Sequence, residues 1–182
     1  MNFTFEPQSI GDVVLVRRRL RRDERGAFSE SYRRSAFERA GLPVDFVQDN
    51  VVSSTGGVLR GLHYQLPPAA QGKLVSVTRG TILDVALDLR HCSPSFGKWV
   101  MNELSAEGGE MLWIPEGFAH GYLVLSDSAD VHYKVTAEYA PELDRGVRWD
   151  DPALAISWPT ARPTLSAKDR ALPLLVEAEN PF

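Results

Sequence analysis

The chain has 182 residues, of which 43% are hydrophobic and 24% charged, the make-up of one folded domain rather than a disordered, collagenous or coiled-coil protein. With 20 Lys and Arg against 24 Asp and Glu the formal charge is -4, which excludes a general electrostatic grip on nucleic acid. The single cysteine, Cys92, excludes an intrachain disulfide, and no apolar run reaches the ~18 residues of a membrane span, so a soluble, cytoplasmic protein without a membrane partner is expected.

From the N-terminus, Val13–Val16 opens a series of short extended segments broken by Gly, Pro, Asn and Asp. The arginines at 17, 18, 19, 21 and 22 fit a solvated, alternating strand surface better than a dimer contact. Ser35, three positions before Glu38, forms a capping-box pattern for one short helix that Gly41 and Pro43 end. Further strands are predicted at Phe46–Ser54, Val58–Tyr64, Lys73–Thr78, Thr81–Leu89, Lys98–Leu104 and Val131–Tyr139. In the fourth of these, Leu83, Val85, Leu87 and Leu89 alternate with Asp84, Ala86 and Asp88, the period of a half-buried strand. Pro152, Pro159, Pro163 and Pro173 cut the last third into short pieces, with a helical turn near Ser166–Ala171. No linker separates a second domain. The expected organisation is N-terminal strands over 1–45, a barrel core over 46–140 and an extension over 141–182 packed back on the barrel.

The chain lacks a Gly-rich dinucleotide loop, a Walker lysine loop and a His-Glu-x-x-His pair. Polar groups concentrate instead within two apolar stretches, Gln48–Gln65 and Trp113–Tyr139. Gly109 followed by Pro115-Glu116-Gly117-Phe118-Ala119-His120 resembles the second half of the cupin signature, a double-stranded β-helix. The metal-binding half is incomplete. A metal cupin needs His-x-His and a following Glu, whereas here His63-Tyr64-Gln65 leads into Leu66-Pro67-Pro68-Ala69-Ala70, so a barrel without metal is expected. Two histidines at a metal-free barrel mouth suit proton transfer. Strict alternation through Arg60-Gly61-Leu62-His63-Tyr64-Gln65 puts Arg60 on the face opposite His63.

Five segments carry a more specific signal: Gln48-Asp49-Asn50, Gly57 to Gln65, Gln71-Gly72-Lys73-Leu74-Val75, Trp113 to Gly121 and Leu165-Ser166-Ala167-Lys168-Asp169. In order and spacing they resemble the motifs of the dTDP-4-dehydrorhamnose 3,5-epimerases across nearly the whole chain. The resemblance implies a mainly β, cupin-type jelly-roll barrel with a few short helices, working without a cofactor on a dTDP-4-keto-6-deoxyhexose as a homodimer. It further implies that His63 accepts the proton, Asp169 orients it, Tyr133 donates a proton and Lys73 faces the developing enolate at O4. The substrate-binding set it implies is Arg25, Glu30, Gln48, Asp49, Asn50, Arg60, Lys73, His120, Tyr139, Asp144 and Lys168, with Arg25 and Glu30 reaching the nucleotide at the dimer interface and Tyr139 stacking on thymine. Asp144 departs from the family's usual Glu, a side chain one methylene longer. Inversion at C3 alone, or sugar-nucleotide binding without turnover, are the alternatives.

Overall fold

A computed structural model describes residues 2–182, whose β-branched and aliphatic segments pair as antiparallel strands. In chain order the elements are β1 (Phe3–Pro7), β2 (Val14–Arg18), β3 (Arg21–Asp23), β4 (Gly26–Phe28), α1 (Arg34–Arg39), β5 (Gln48–Thr55), β6 (Leu59–Gln65) and β7 (Lys73–Arg79). They continue with β8 (Thr81–Asp88), β9 (Trp99–Ser105), β10 (Glu110–Ile114), β11 (Phe118–Val124), β12 (Ser128–Val135), β13 (Asp144–Gly146) and α2 (Ala167–Arg170). A six-stranded sheet, ordered β1-β2-β10-β7-β12-β5, faces a five-stranded sheet, ordered β13-β6-β11-β8-β9, while β3 and β4 form a separate hairpin. Leu15, Val75, Val77 and Leu112 from the first sheet meet Ile82, Ala86, Leu104 and Phe118 from the second in the barrel interior. This is the jelly-roll architecture expected from the sequence. The last predicted strand ends earlier than the expected Tyr139, at Val135.

The alternation in β8 has the right period and the opposite meaning. Ile82 and Ala86 face the barrel interior, and Asp84 and Asp88 share their side, both at 0% exposure. Val85, Leu87 and Leu89 face outward, yet they are buried too, because Leu154, Ile156, Trp158, Leu175 and Phe182 of the C-terminal extension pack over that face. Trp99 fastens the cover by donating from Nε1 to the carbonyl of Leu154 at 2.9 Å. A strand expected to be half-buried is therefore buried on both sides, with its acids inside.

The helix α1 also departs from expectation. It begins at Arg34, Arg33 takes the cap position without a side-chain bond, and Ser35 lies within the first turn, so no capping box forms. Packing places the helix instead: Phe37 is fully buried on the outer side of the six-stranded sheet, against Phe3, Phe5 and Tyr32. Of the arginine run, Arg17, Arg19, Arg21 and Arg22 are exposed. Arg18 turns partly inward to donate to the carbonyl of Val77 at 3.3 Å, and burial lowers its pKa. Among the described residues no helix is long and apolar enough to cross a membrane.

Candidate active site

The pairing of β6 with β11 sets the geometry of the site. His63 lies opposite His120 and Arg60 opposite Tyr122, so three steps along β6 match two along β11, and the register shifts between them. A bulge of this kind adds a residue to one strand and reverses the alternation beyond it. Arg60 and His63 consequently line one cavity of about 230 Å³, against the expectation that they point to opposite faces. Glycine makes the bulge possible. Gly61 has a φ of +117°, and a Cβ there would stand 2.5 Å from the Cα of Gly121 and 2.7 Å from the carbonyl oxygen of His120.

His63 is half-buried, and its Nε2 lies 2.6 Å from Oδ1 of Asp169. Asp169 reaches it from the first turn of α2, where Ser166 is the N-cap. The Ser166 hydroxyl accepts the backbone N–H of Asp169 at 3.0 Å and donates to Oδ2 at 2.8 Å, so both carboxylate oxygens are engaged. Burial pushes the Asp169 carboxyl up, but the bond and charge of His63, the Ser166 hydroxyl and Lys168 outweigh it and hold the group below the ordinary value.

Tyr133 stands on β12 of the opposite sheet and lines the same cavity. Burial raises its phenol above the ordinary value, with Arg60 opposing and Asp144 adding to the shift. Lys73, at the start of β7, is only 7% exposed and donates from Nζ to the carbonyl of His63 at 3.1 Å. Burial pushes its ammonium down to about 8, against the pull of Asp144 and Asp84. His120 completes this part of the wall, with Nε2 2.8 Å from Oδ2 of the buried Asp84.

The rim gathers further expected residues. Asp144 accepts from the Tyr139 hydroxyl at 2.9 Å and from the Lys168 ammonium. The ring of Tyr139 is itself more than half exposed. Gln48 donates to Asn50 Oδ1 at 2.8 Å and accepts the backbone N–H of Tyr139 at 2.8 Å, while Asn50 sits opposite Tyr133 across the β5–β12 ladder. Arg60 donates from Nε to the Ser54 hydroxyl at 3.0 Å.

Three expected residues are not brought to the cavity. Asp49 alternates away from Gln48 and Asn50 and binds Lys134 at 2.8 Å on the other side of the sheet. Arg25 lies at the exposed β3–β4 turn, folded onto Asp23 at 2.6 Å. Glu30 bonds Asn2 at 2.9 Å and pairs with Arg33, remote from His63. Conversely, Gln65, Gln71, Tyr122 and Asp84 belong to the site or support it without having been singled out. Gln65 donates to the carbonyls of Ala69 and Glu138 and accepts from Ala140, tying the cavity floor to the rim segment. Asp84 had a visible signal, an acid set within an apolar strand.

Among the described residues, no group of three or more His, Cys, Asp or Glu converges as a metal centre would require. A second, larger cavity of about 710 Å³ lies between Asp12, Arg90, Lys98 and Trp99, where Arg90 pairs with both Asp88 and Asp12 at 2.8 Å.

Comparison with known proteins agrees with this geometry. The family model described as dTDP-4-dehydrorhamnose 3,5-epimerase matches residues 7–177. A dTDP-4-dehydrorhamnose 3,5-epimerase of Pseudomonas aeruginosa is 55% identical over 164 residues, which cover 89% of this chain and 90% of that protein. The crystal structure of a dTDP-6-deoxy-D-glucose-3,5-epimerase from Legionella pneumophila, in complex with dTDP-4-keto-L-rhamnose, matches with a TM-score of 0.92 at 45% identity over 96% of this chain and 94% of that one. A 3'-monoepimerase from Streptomyces bikiniensis in complex with dTDP-quinovose is also similar, at 35% identity and a TM-score of 0.88 over 93% of this chain and 87% of that one. On the strength of the matched segment and these relatives, the chain belongs to the dTDP-4-dehydrorhamnose 3,5-epimerase family.

Proposed function

We propose that the chain is a cofactor-independent isomerase that inverts C3 and C5 of dTDP-4-dehydro-6-deoxy-D-glucose to give dTDP-4-dehydro-L-rhamnose. The observation that carries the residue roles is the placement of His63 and Tyr133 on opposite sheets of one cavity, so that a hexose between them meets an imidazole on one side and a phenol on the other.

Hydrogens on C3 and C5 are acidic because each carbon adjoins the C4 ketone, whose oxygen takes up the charge when the proton leaves. Asp169 engages Nε2 of His63, which leaves Nδ1 to accept the carbon-bound proton, and the carboxylate then stabilises the imidazolium. The Lys73 ammonium faces the developing enolate at O4 from a buried position, where its charge is weakly screened. Tyr133, kept protonated by its raised pKa, returns a proton to the opposite side of the carbon and so inverts it. Once His63 has released its proton to solvent and Tyr133 has regained one, repetition at the second carbon completes the reaction without redox change.

Arg60, Gln48, Asn50, His120 and Lys168 bind the nucleotide sugar in this assignment, and Tyr139 stacks on the thymine at the rim. Asp144 keeps the charge of the family's Glu on a side chain one methylene shorter, held at the rim by Tyr139 and Lys168. Arg25 and Glu30 act across a homodimer interface, which accords with the exposed β3–β4 hairpin and its Phe28, 67% exposed. Incubation with dTDP-4-keto-6-deoxyglucose in deuterated water tests the reading: label at both C3 and C5 is expected, label at C3 alone selects a monoepimerase, and exchange at neither carbon refutes the proposal.

A further inference from the structure

Two imidazole–carboxylate pairs stand side by side in the cavity wall. His63 and His120 face each other across the β6–β11 ladder, one backed by Asp169 at 2.6 Å and the other by Asp84 at 2.8 Å. The reaction as derived uses only the first pair. Asp84 is completely buried, lies on the barrel-interior side of β8 opposite Tyr122, and makes a single hydrogen bond. Among the described residues its Oδ1 has no partner.

Asp88, four residues further along the same side of the same strand, shows what a structural acid looks like here. Both of its oxygens are taken: Arg90 bonds each of them, and the hydroxyls of Ser93 and Ser95 bond Oδ2 at 2.7 Å. A carboxylate of equal burial with only one bond is costly to the fold, and groups of that kind concentrate where chemistry is done. We infer that Asp84 is a positioning residue for the epimerase reaction: it holds His120 by Nε2–H, so that Nδ1 is the ring atom offered to the sugar, as an acceptor for one of its hydroxyls. The carboxylate decides the tautomer, as an Asp does behind a triad histidine. His120 thereby complements Lys73, a donor, with an acceptor fixed on the opposite sheet. Misplacing the sugar against His63 by even about 1 Å is enough to cost roughly 100-fold in rate.

This inference rests on the assignment of the cavity as the epimerase site, and the experiment separates the two. Nitrogen-15 spectra of histidine-labelled protein, with the His120 resonances assigned by His120→Phe, are expected to show the Nε2–H tautomer in the wild type. In Asp84→Asn the amide is expected to donate to Nε2 and reverse the tautomer, with kcat falling about 10- to 100-fold and dTDP affinity staying within about twofold, as for other carboxylates that support a working histidine. Added to His120→Phe, Asp84→Asn is expected to cost nothing further. A wild-type His120 protonated on Nδ1, unchanged kcat in Asp84→Asn, or independent losses in the double variant each overturn the inference. The wild-type spectrum decides the point even where Asp84→Asn fails to fold. Wild-type protein that exchanges neither sugar carbon would refute the assigned activity instead, and the tautomer would still be read on its own.

Discussion

Replacing Asp169 by Asn probes the proton relay while keeping its shape. The backbone N–H of Asp169 still reaches the Ser166 hydroxyl, so the cap of α2 survives, and the side chain keeps its volume in a site that is only 3% exposed. What changes is the contact at 2.6 Å to His63, which loses its charge. A hydrogen bond to a charged group contributes about 1.5–3 kcal/mol, equivalent to a roughly 10- to 160-fold change in rate when it forms fully only in the imidazolium state. An Asn can also donate to Nε2 and place the proton on Nδ1, the atom that must accept; tautomer reversal costs about 10,000-fold in a Ser-His-Asp triad. We therefore expect kcat to fall between roughly 100- and 10,000-fold, measured as C3 and C5 deuterium incorporation and as product formation, with dTDP binding retained. The carboxyl is held below its ordinary pKa in the fold, so it favours the folded state above that value and loses this contribution as pH falls through the folded pKa. The variant is accordingly expected to show a weaker acid dependence of stability. A kcat within threefold of wild type, in a folded protein, would show that Asp169 does not orient the base.

The Lys73 ammonium, pushed down to about 8, predicts an alkaline fall in kcat/KM centred near pH 8 that Lys73→Gln abolishes along with most of the rate; activity level to pH 9.5 would exclude the cation from the reaction. The same depressed pKa means that the fold holds fewer protons than the unfolded chain between about 8 and 10.5, so stability from this group rises with pH across that window. Gly61→Ala should destabilise by at least about 2 kcal/mol, since the new Cβ meets backbone at 2.5 Å in a conformation that disfavours any side chain, and melting should drop by roughly 4–8 °C. An unchanged melting temperature would mean that the bulge relaxes freely. Tyr133→Phe should retain part of the solvent exchange while losing productive inversion, because it removes the donor and spares the ring; equal loss of both would assign Tyr133 another task.

The strands were legible because aliphatic, β-branched segments end at Gly, Pro and Asn, cues that are local, whereas the jelly roll was legible through the motif resemblance. Histidine 63, Asp169 and Tyr133 were legible only through motifs, since 106 positions separate the first two and nothing local brings them together. What strict alternation could not supply was the bulge at Gly61, a two-strand event that moved Arg60 to the His63 side. Nor could it say which face of β8 was inside. The leucine face looked like the core side, but the extension supplied a second cover and left the acids to the interior. Ser35 failed as a cap because Phe37, buried among aromatic rings, decides where α1 begins.

Every barrel strand, β13 included, precedes Ser166 and Asp169 in the chain. Lys73, His63 and His120 therefore come from the barrel strands, and the carboxylate that engages His63 comes from the extension. The extension thus does two things at once: it covers Val85, Leu87 and Leu89, and it carries the carboxylate that engages His63, so loosening the cover would also release the imidazole.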